Sequence, residues 1–313
     1  MAGITDAPFR TLAARMGAGL VVSEMIASAE LLDSKPDARA KAALGLGDGH
    51  TSVQLAGRDP GITAEAARLL EGEGARIIDL NLGCPAKKVT NGWSGSALMR
   101  EPDHALRLIE AVAEAVDVPV TVKMRLGWDA ATLNAAEIAV RAESAGVAMF
   151  TVHGRTRCQF YTGSADWDAI GDVVRAVGVP VIANGDVTGP AQAREALRRS
   201  GAAGVMVGRG ARGRPWVLAE IAAASRGDRS PEPPGGADLA EIITEHYESM
   251  LVFYGRDLGP RVARKHLGWY LDRIAGAEAL RARVIRMGDP AEVVRSLRGE
   301  LPGLGVTYRR IAA

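Results

Sequence analysis

Short apolar stretches rich in β-branched residues recur at 20–23, 51–55, 76–80, 118–124, 148–153, 179–183 and 204–207. Runs of this length, apolar with little alternation, read as strands covered on both faces. Between them lie alanine-rich segments with apolar residues at helical spacing, at 63–73, 102–116, 134–145, 166–176 and 191–199. Strand and helix therefore alternate, and such a chain folds through right-handed crossovers into a parallel sheet. The punctuation agrees: Gly146 and Gly201 stand where left-handed residues end helices, and Val118-Pro119-Val120 and Val179-Pro180-Val181 step rigidly into strands.

A polar residue closes nearly every strand: Glu24, Gln54, Asn81, Lys123, His153, Asn184 and the pair Gly208-Arg209. A doubly wound open sheet is the alternative, but the regular spacing and these polar ends favour a (β/α)8 TIM barrel, where C-terminal strand ends converge on one mouth. Seven strands are visible. Met1-Ala2-Gly3-Ile4-Thr5-Asp6 reads as a loop running from a strand into a helix at Ala7, so the first barrel strand is expected to be truncated or the barrel closed in an unusual way. Residues 1–226 are thus expected to form the barrel. A proline- and glycine-rich linker follows at 227–236, and 237–313 reads as a small all-α domain with helices at 239–254, 259–274, 277–287 and 290–297.

The 313 residues carry 38 Lys and Arg against 37 Asp and Glu, a net charge of +1, so any polyanion must be met by a local patch. Two cysteines, Cys84 and Cys158, make neither a disulfide framework nor a four-ligand zinc site, and no metal site is expected. The absence of a long apolar run and of a signal-peptide pattern predicts a cytoplasmic protein that does not enter a membrane.

Candidate chemistry sits at the mouth. Asn81-Leu82-Gly83-Cys84-Pro85 puts a thiol on the loop after a strand, where it can face a ligand, although cysteine is as often a small buried hydrophobe. Lys123-Met124-Arg125 ends another strand with two cations. Such a lysine suits a Schiff base, a phosphate partner or the counter-ion of a reduced cofactor. His153-Gly154-Arg155-Thr156-Arg157 places a histidine beside arginine forks that fit planar bases and phosphates. Asn184-Gly185-Asp186 and Gly208-Arg209-Gly210 end the last two strands, the usual place for a barrel's phosphate cradle. A flat ring with a phosphate tail fits these groups, and flavin mononucleotide and pyridoxal phosphate both remain open on chemistry alone.

Met1 to Asp6, Val53 to Gly57, Asn81 to Pro85, Lys123 to Arg125, His153 to Arg157, Asn184 to Asp186 and Gly208 to Gly210 together resemble the tRNA-dihydrouridine synthases. The motifs lie in that family's order over essentially the whole chain, and Arg264-Lys265-His266-Leu267-Gly268-Trp269-Tyr270 is similar to the helical domain of its bacterial DusB branch. The resemblance implies tightly bound flavin mononucleotide, NADPH as its reductant, and reduction of the C5=C6 bond of a uridine in tRNA. It places Met1, Ala2, Gln54, Lys123, Asn184, Gly185, Asp186, Gly208 and Arg209 at the flavin, with His153 between flavin and substrate. Asn81 and Arg125 fall at the uracil edge, with Arg155 also on the substrate side, and Cys84 matches the proton donor.

A tRNA substrate needs a basic surface. Between 256 and 286 stand eight Lys or Arg against three Asp or Glu, and Arg264, Lys265 and His266 are the expected tRNA contacts. A solvated helix face is the plainer reading of such a run. Two other functions fit parts of the pattern: an oxidoreductase of a free pyrimidine or small enone, and a non-catalytic RNA-binding regulator. The basic appendage disfavours the first; Cys84, Lys123 and His153 disfavour the second. A monomer is expected.

Overall fold

The computed structural model describes residues 1–44 and 51–304. Its parallel sheet contains β1 (Val21–Val22), β2 (Ile26–Ala27), β3 (Thr51–Ala56), β4 (Ile78–Leu82), β5 (Val120–Arg125), β6 (Met149–His153), β7 (Val181–Asn184) and β8 (Gly204–Met206). Neighbours run β1-β3-β4-β5-β6-β7-β8, and β2 also pairs with β3. Because β1 meets β3 at Thr51 and Ser52 while β2 meets it at Leu55 and Ala56, these two short pieces act as one strand interrupted at Ser23, Glu24 and Met25. Seven strand positions of a β/α barrel are therefore filled, and among the described residues no pairing joins β8 to β1.

Strands β3 and β4 are buried along their whole length. Their apolar residues Val53, Leu55, Ile78, Leu80 and Leu82 join the core, and the helices Pro60–Gly72 and Pro102–Ala113 bury Ala66, Leu70, Leu108 and Ile109 in the same layer. Asp59 and Asp166 cap their helices by accepting from the Ile62 and Ala169 amides at 2.9 and 3.0 Å, each cap worth about 1 kcal/mol. The expected strand at 76–80 lies two residues later. It continues through Leu82 because the Asn81 side chain finds a partner on β3 and keeps the backbone in register. Short helices at Ser28–Leu32 and Pro36–Ala42 hold too few turns for their period to show in the sequence.

Contacts divide the chain into two compact units: 1–10, 19–187 and 191–208 form the first, and 11–18, 188–190 and 209–313 the second. The helix Val217–Arg226 thus belongs to the second unit, although it precedes the proline-rich segment that marks the boundary in the sequence. Trp216 explains this. It stacks on Tyr270, with ring centroids 6.4 Å apart, and shares a core with Leu239, Ile243, Leu267 and Leu297. The two helices expected at 239–254 and 259–274 run through Gly236–Asp272 and are separated by a kink at Gly255, where φ is 77°. Helices Glu278–Val284 and Pro290–Glu300 follow, and the final residues of the expected domain, 305–313, lie outside the described residues.

Within the second unit the chain at Gly213 passes close to the helix 236–272. A Cβ there would stand 2.1 Å from the Trp269 carbonyl oxygen, on a residue whose φ is +62°. Gly213→Ala is therefore expected to destabilise the protein by about 3 kcal/mol or more through overpacking and a left-handed backbone. Thermal unfolding checks this, with an unchanged midpoint as the contrary result.

Candidate active site

The strand register turns separate motifs into rows of neighbours. Gln54, Asp79 and Thr121 lie level across β3, β4 and β5. One step toward the strand ends, Asn81 is level with Lys123. In the next row Arg125, His153, Asn184 and Met206 follow one another across β5, β6, β7 and β8. Period-two geometry keeps the members of each row on one face of the sheet.

A chain of buried hydrogen bonds ties the first two rows together. The Thr121 hydroxyl and the Gln54 amide each donate to Asp79 at 2.6 Å. Asn81 Nδ2 donates to Gln54 Oε1 at 2.7 Å, and Asn81 Oδ1 accepts from the Gly83 and Cys84 amides at 3.1 and 2.8 Å. The Asn81 side chain therefore builds the turn that presents Cys84. From the other side, the Ser96 amide and hydroxyl donate to the Cys84 carbonyl at 3.1 and 2.9 Å. The thiol is half-buried on a loop pinned from both sides. Burial raises the Asp79 pKa from 3.8 to about 6, against the pull of its two hydrogen bonds and Lys123.

Cations crowd the next rows. Burial, with repulsion from Arg125, brings Lys123 down to about 8, and its ammonium has no hydrogen-bond or ion-pair partner among the described residues. Arg125 is buried and comes down to about 10 for the same first reason, with Arg155 and Arg157 adding repulsion. Its Nε donates to the Gly83 carbonyl at 2.8 Å, and Nη1 donates to those of Thr156 and Phe160 at 2.8 and 2.9 Å. Nη2 donates to no described residue. The Tyr161 ring lies 5.6 Å from this guanidinium.

Arg155 departs from the expected substrate role. It is buried, donates to both Asp186 carboxylate oxygens at 2.9 and 2.7 Å, and donates to the Thr162 and Gly163 carbonyls at 3.1 and 2.6 Å. It is an internal brace between loops. The Asp186 carboxylate also accepts from the Ala165 amide at 2.7 Å, so its side chain braces the same loops. Arg155 Nη1 lies 3.3 Å from His153 Nε2; an arginine only donates, so that nitrogen carries a lone pair. Gly185 is demanded by packing as much as by any phosphate. A Cβ there would stand 2.7 Å from Ala165 Cβ and 2.9 Å from His153 Cδ2, at φ +116°.

Of the remaining expected positions, Asn184 donates to the Met206 carbonyl at 2.9 Å, and the Met1 sulfur lies 3.9 Å from where a Gly208 Cβ would stand. Ala2 is exposed in the turn whose Gly3 amide donates to Glu24. Among the described residues no cluster of His, Cys, Asp and Glu could hold a metal ion, and no helix is long and apolar enough to cross a membrane.

The family model described as dihydrouridine synthase matches residues 1–301. The chain belongs to the dihydrouridine synthase family. It is 64% identical over 299 residues to a protein of Rhodobacter capsulatus named as a probable tRNA-dihydrouridine synthase, covering 95% of this chain and 92% of that one. A Rickettsia conorii relative of the same name is 52% identical over 294 residues, covering 94% of this chain and 89% of its own. The tRNA-dihydrouridine synthase B of Pseudomonas aeruginosa is 44% identical over 299 residues, covering 95% and 90%. Membership makes this chain an oxidoreductase, and its first unit carries the thiol and the cationic rows.

Arg209, Arg264, Lys265 and His266 belong to the second unit. Arg264 is exposed and Lys265 half-buried, but His266 is a correction: it is 2% exposed, with its ring 5.0 Å from that of His246 and 5.0 Å from that of Trp269. Burial, then His246 and Lys265, lower its pKa to about 2. A neutral core histidine does not contact a polyanion. Tyr270 is likewise internal, its hydroxyl 3.0 Å from His246 Nδ1, and Arg281 and Arg283 of the basic run pair with Asp272 and Glu300. Asp79 is the residue that sequence reasoning passed over; an aspartate two positions before Asn81 inside an apolar run was the available signal.

Because the fold raises the Asp79 pKa to about 6, it favours the protonated acid. This contribution is complete below the unfolded pKa of about 3.9 and is lost as pH rises through about 6, a swing of roughly 3 kcal/mol. Ligand-free wild-type protein is expected to lose stability relative to Asp79→Asn across that window. Thermal melts of both proteins at a series of pH values check it, and a pH-independent difference would contradict it.

Proposed function

We propose that this protein reduces the C5=C6 bond of a uridine in tRNA, with flavin mononucleotide as prosthetic group, NADPH as reductant and Cys84 as proton donor. The observation that carries the reading is the Lys123 ammonium, without a partner among the described residues and level with the Asn81 side chain that builds the Cys84 turn. A half-buried cation with no hydrogen-bond or ion-pair partner, beside a pinned thiol, suits an anionic or electron-rich ring. Lys123, Gln54, Asn184 and Gly185 would hold the flavin from the first unit, together with the turn of Met1 and Ala2 and with Gly208. Pyridoxal phosphate would also use Lys123, but it gives a dihydrouridine synthase no hydride.

Flavin mononucleotide, when bound and reduced, would supply the hydride equivalent for C6 of the uracil, which leaves the protein to stabilise negative charge on the O4 side and to bring a proton to C5. Cys84 donates it as a thiol, and its half-exposed position lets solvent restore the proton. Arg125 contributes the one nitrogen it has not committed to carbonyls, Nη2, to the uracil edge, and donors fixed before the reaction stabilise developing charge without reorganising. His153 lies level with Arg125 on β6 and, with its Nε2 lone pair toward Arg155, is held in one tautomer. Asn81 acts chiefly by positioning Cys84. Arg264 and Lys265 are the remaining tRNA contacts of the second unit. The reading carries with it tight flavin binding, a cytoplasmic setting and a monomeric enzyme.

The test is the absorbance spectrum of the purified protein under anaerobic conditions. Flavin bands that bleach with NADPH and recover on adding unmodified tRNA are expected; recovery with free uracil instead would move the enzyme to small-molecule metabolism, and a colourless protein that binds RNA would contradict the reductase reading. In the same assay Cys84→Ala is expected to slow tRNA-dependent reoxidation by about 10²–10⁴-fold with the flavin spectrum intact.

A further inference from the structure

Three loops at the strand ends of the first unit share one indole. The Arg100 guanidinium lies 4.9 Å from the centroid of the Trp128 ring and that of Arg157 lies 4.7 Å from it. Arg100 ends the turn Gly95–Arg100, whose Ser96 holds the Cys84 carbonyl. Arg157 follows His153 and Arg155, and the loop that bears it is zipped to the loop bearing Trp128: the Arg157 amide donates to the Gly127 carbonyl at 2.9 Å and the Cys158 amide to that of Trp128 at 2.8 Å. Arg100 also lies 5.9 Å from the ring of Trp93, which is 50% exposed on a backbone with φ +57°. A bulky residue in that conformation is a genuine outlier, and such strain gathers at sites of function.

Neither guanidinium has a carboxylate partner or a side-chain hydrogen bond among the described residues, and Arg157 Nε is buried with no partner. Other arginines of this unit differ. Arg155 pairs with Asp186, Arg141 with Asp103, and Arg198 with Glu195. Two like charges gathered on one ring, with Arg157 near enough to depress the Arg125 pKa, leave a concentrated positive potential beside the Cys84 loop. Planar arginine forks match the oxygens of a phosphodiester, and an exposed indole offers a face to an unstacked base.

We propose that Arg100 and Arg157, clamped on Trp128, bind a backbone phosphate of the RNA strand that carries the target uridine, with Trp93 as the stacking face for a neighbouring base. The proposal rests on the reading of tRNA as substrate. It puts an RNA-binding surface on the catalytic unit, apart from Arg264 and Lys265.

The experiment is fluorescence anisotropy of a labelled unmodified tRNA transcript titrated with the full-length holoprotein at several potassium chloride concentrations. The double variant R100Q/R157Q is expected to lower the slope of log Kd against log salt by about 1, the one phosphate the pair holds, and each single variant by part of that. Trp128→Ala is expected to weaken binding as the double variant does, while Trp128→Phe, which keeps an aromatic face, retains most of the affinity. R198Q, whose arginine is exposed and already paired, serves as the surface control and is expected to match wild type. Circular dichroism melts report whether each variant is folded. A folded double variant with the wild-type slope and Kd would overturn the proposal, as would an equal loss in R198Q. Wild-type protein that fails to bind tRNA would overturn both this proposal and the reductase reading. Tight tRNA binding lost in the double variant, without tRNA-dependent flavin reoxidation in wild type, would support the surface and sink the reductase reading alone.

Discussion

Six polar groups that water would otherwise solvate are shut away at the sheet, and each must find its partner there. Thr121, Asp79, Gln54, Asn81 and the amides of Gly83 and Cys84 satisfy one another in series, and an unmade bond in such a place costs about 1–3 kcal/mol. Their directions are mutually dependent. The carboxylate of Asp79 fixes which end of the Gln54 amide donates, this fixes the end that accepts from Asn81, and Asn81 is left with an oxygen for the Cys84 turn. The backbone that presents the Cys84 thiol is thus set by a carboxylate it never touches.

The cationic rows follow a different rule. Arg155 is neutralised by Asp186 and works as a brace, whereas Lys123, Arg100 and Arg157 have no ion-pair partner among the described residues. A protein of nearly zero net charge can therefore still concentrate positive potential on one mouth. The same economy appears in the second unit, where Arg281 and Arg283 are paired and Arg264 remains exposed.

The alternation of elements, most strand positions and the collection of polar residues at strand ends were legible in the sequence, because period and punctuation are local properties. What escaped it was partnership. Arg155 and Asp186 stand thirty-one positions apart and look like two ligands until the fold pairs them. His266 lies next to Arg264 and Lys265 in a basic run, yet the helix turns it into the core against His246 and Trp269. Asp79 looked like an interruption in an apolar strand until β3 and β5 supplied the groups that satisfy it. The segment around Trp216 precedes the visible linker but packs against residues beyond it, a long-range preference that composition does not record.

The arrangement in level rows has a consequence for how this architecture can vary. Residues that work together are adjacent across strands, so their grouping depends on register and not on the intervening chain length. An insertion of one residue at the start of β4 would turn Asp79 and Asn81 toward the helices and bring Leu80 inward, breaking both of their rows at once. Insertions in the connecting loops would leave them untouched. Length changes in descendants of this sequence are therefore tolerable between strands and all-or-none within them, and functional drift must proceed by substitution at the rows or by remodelling of the loops above them.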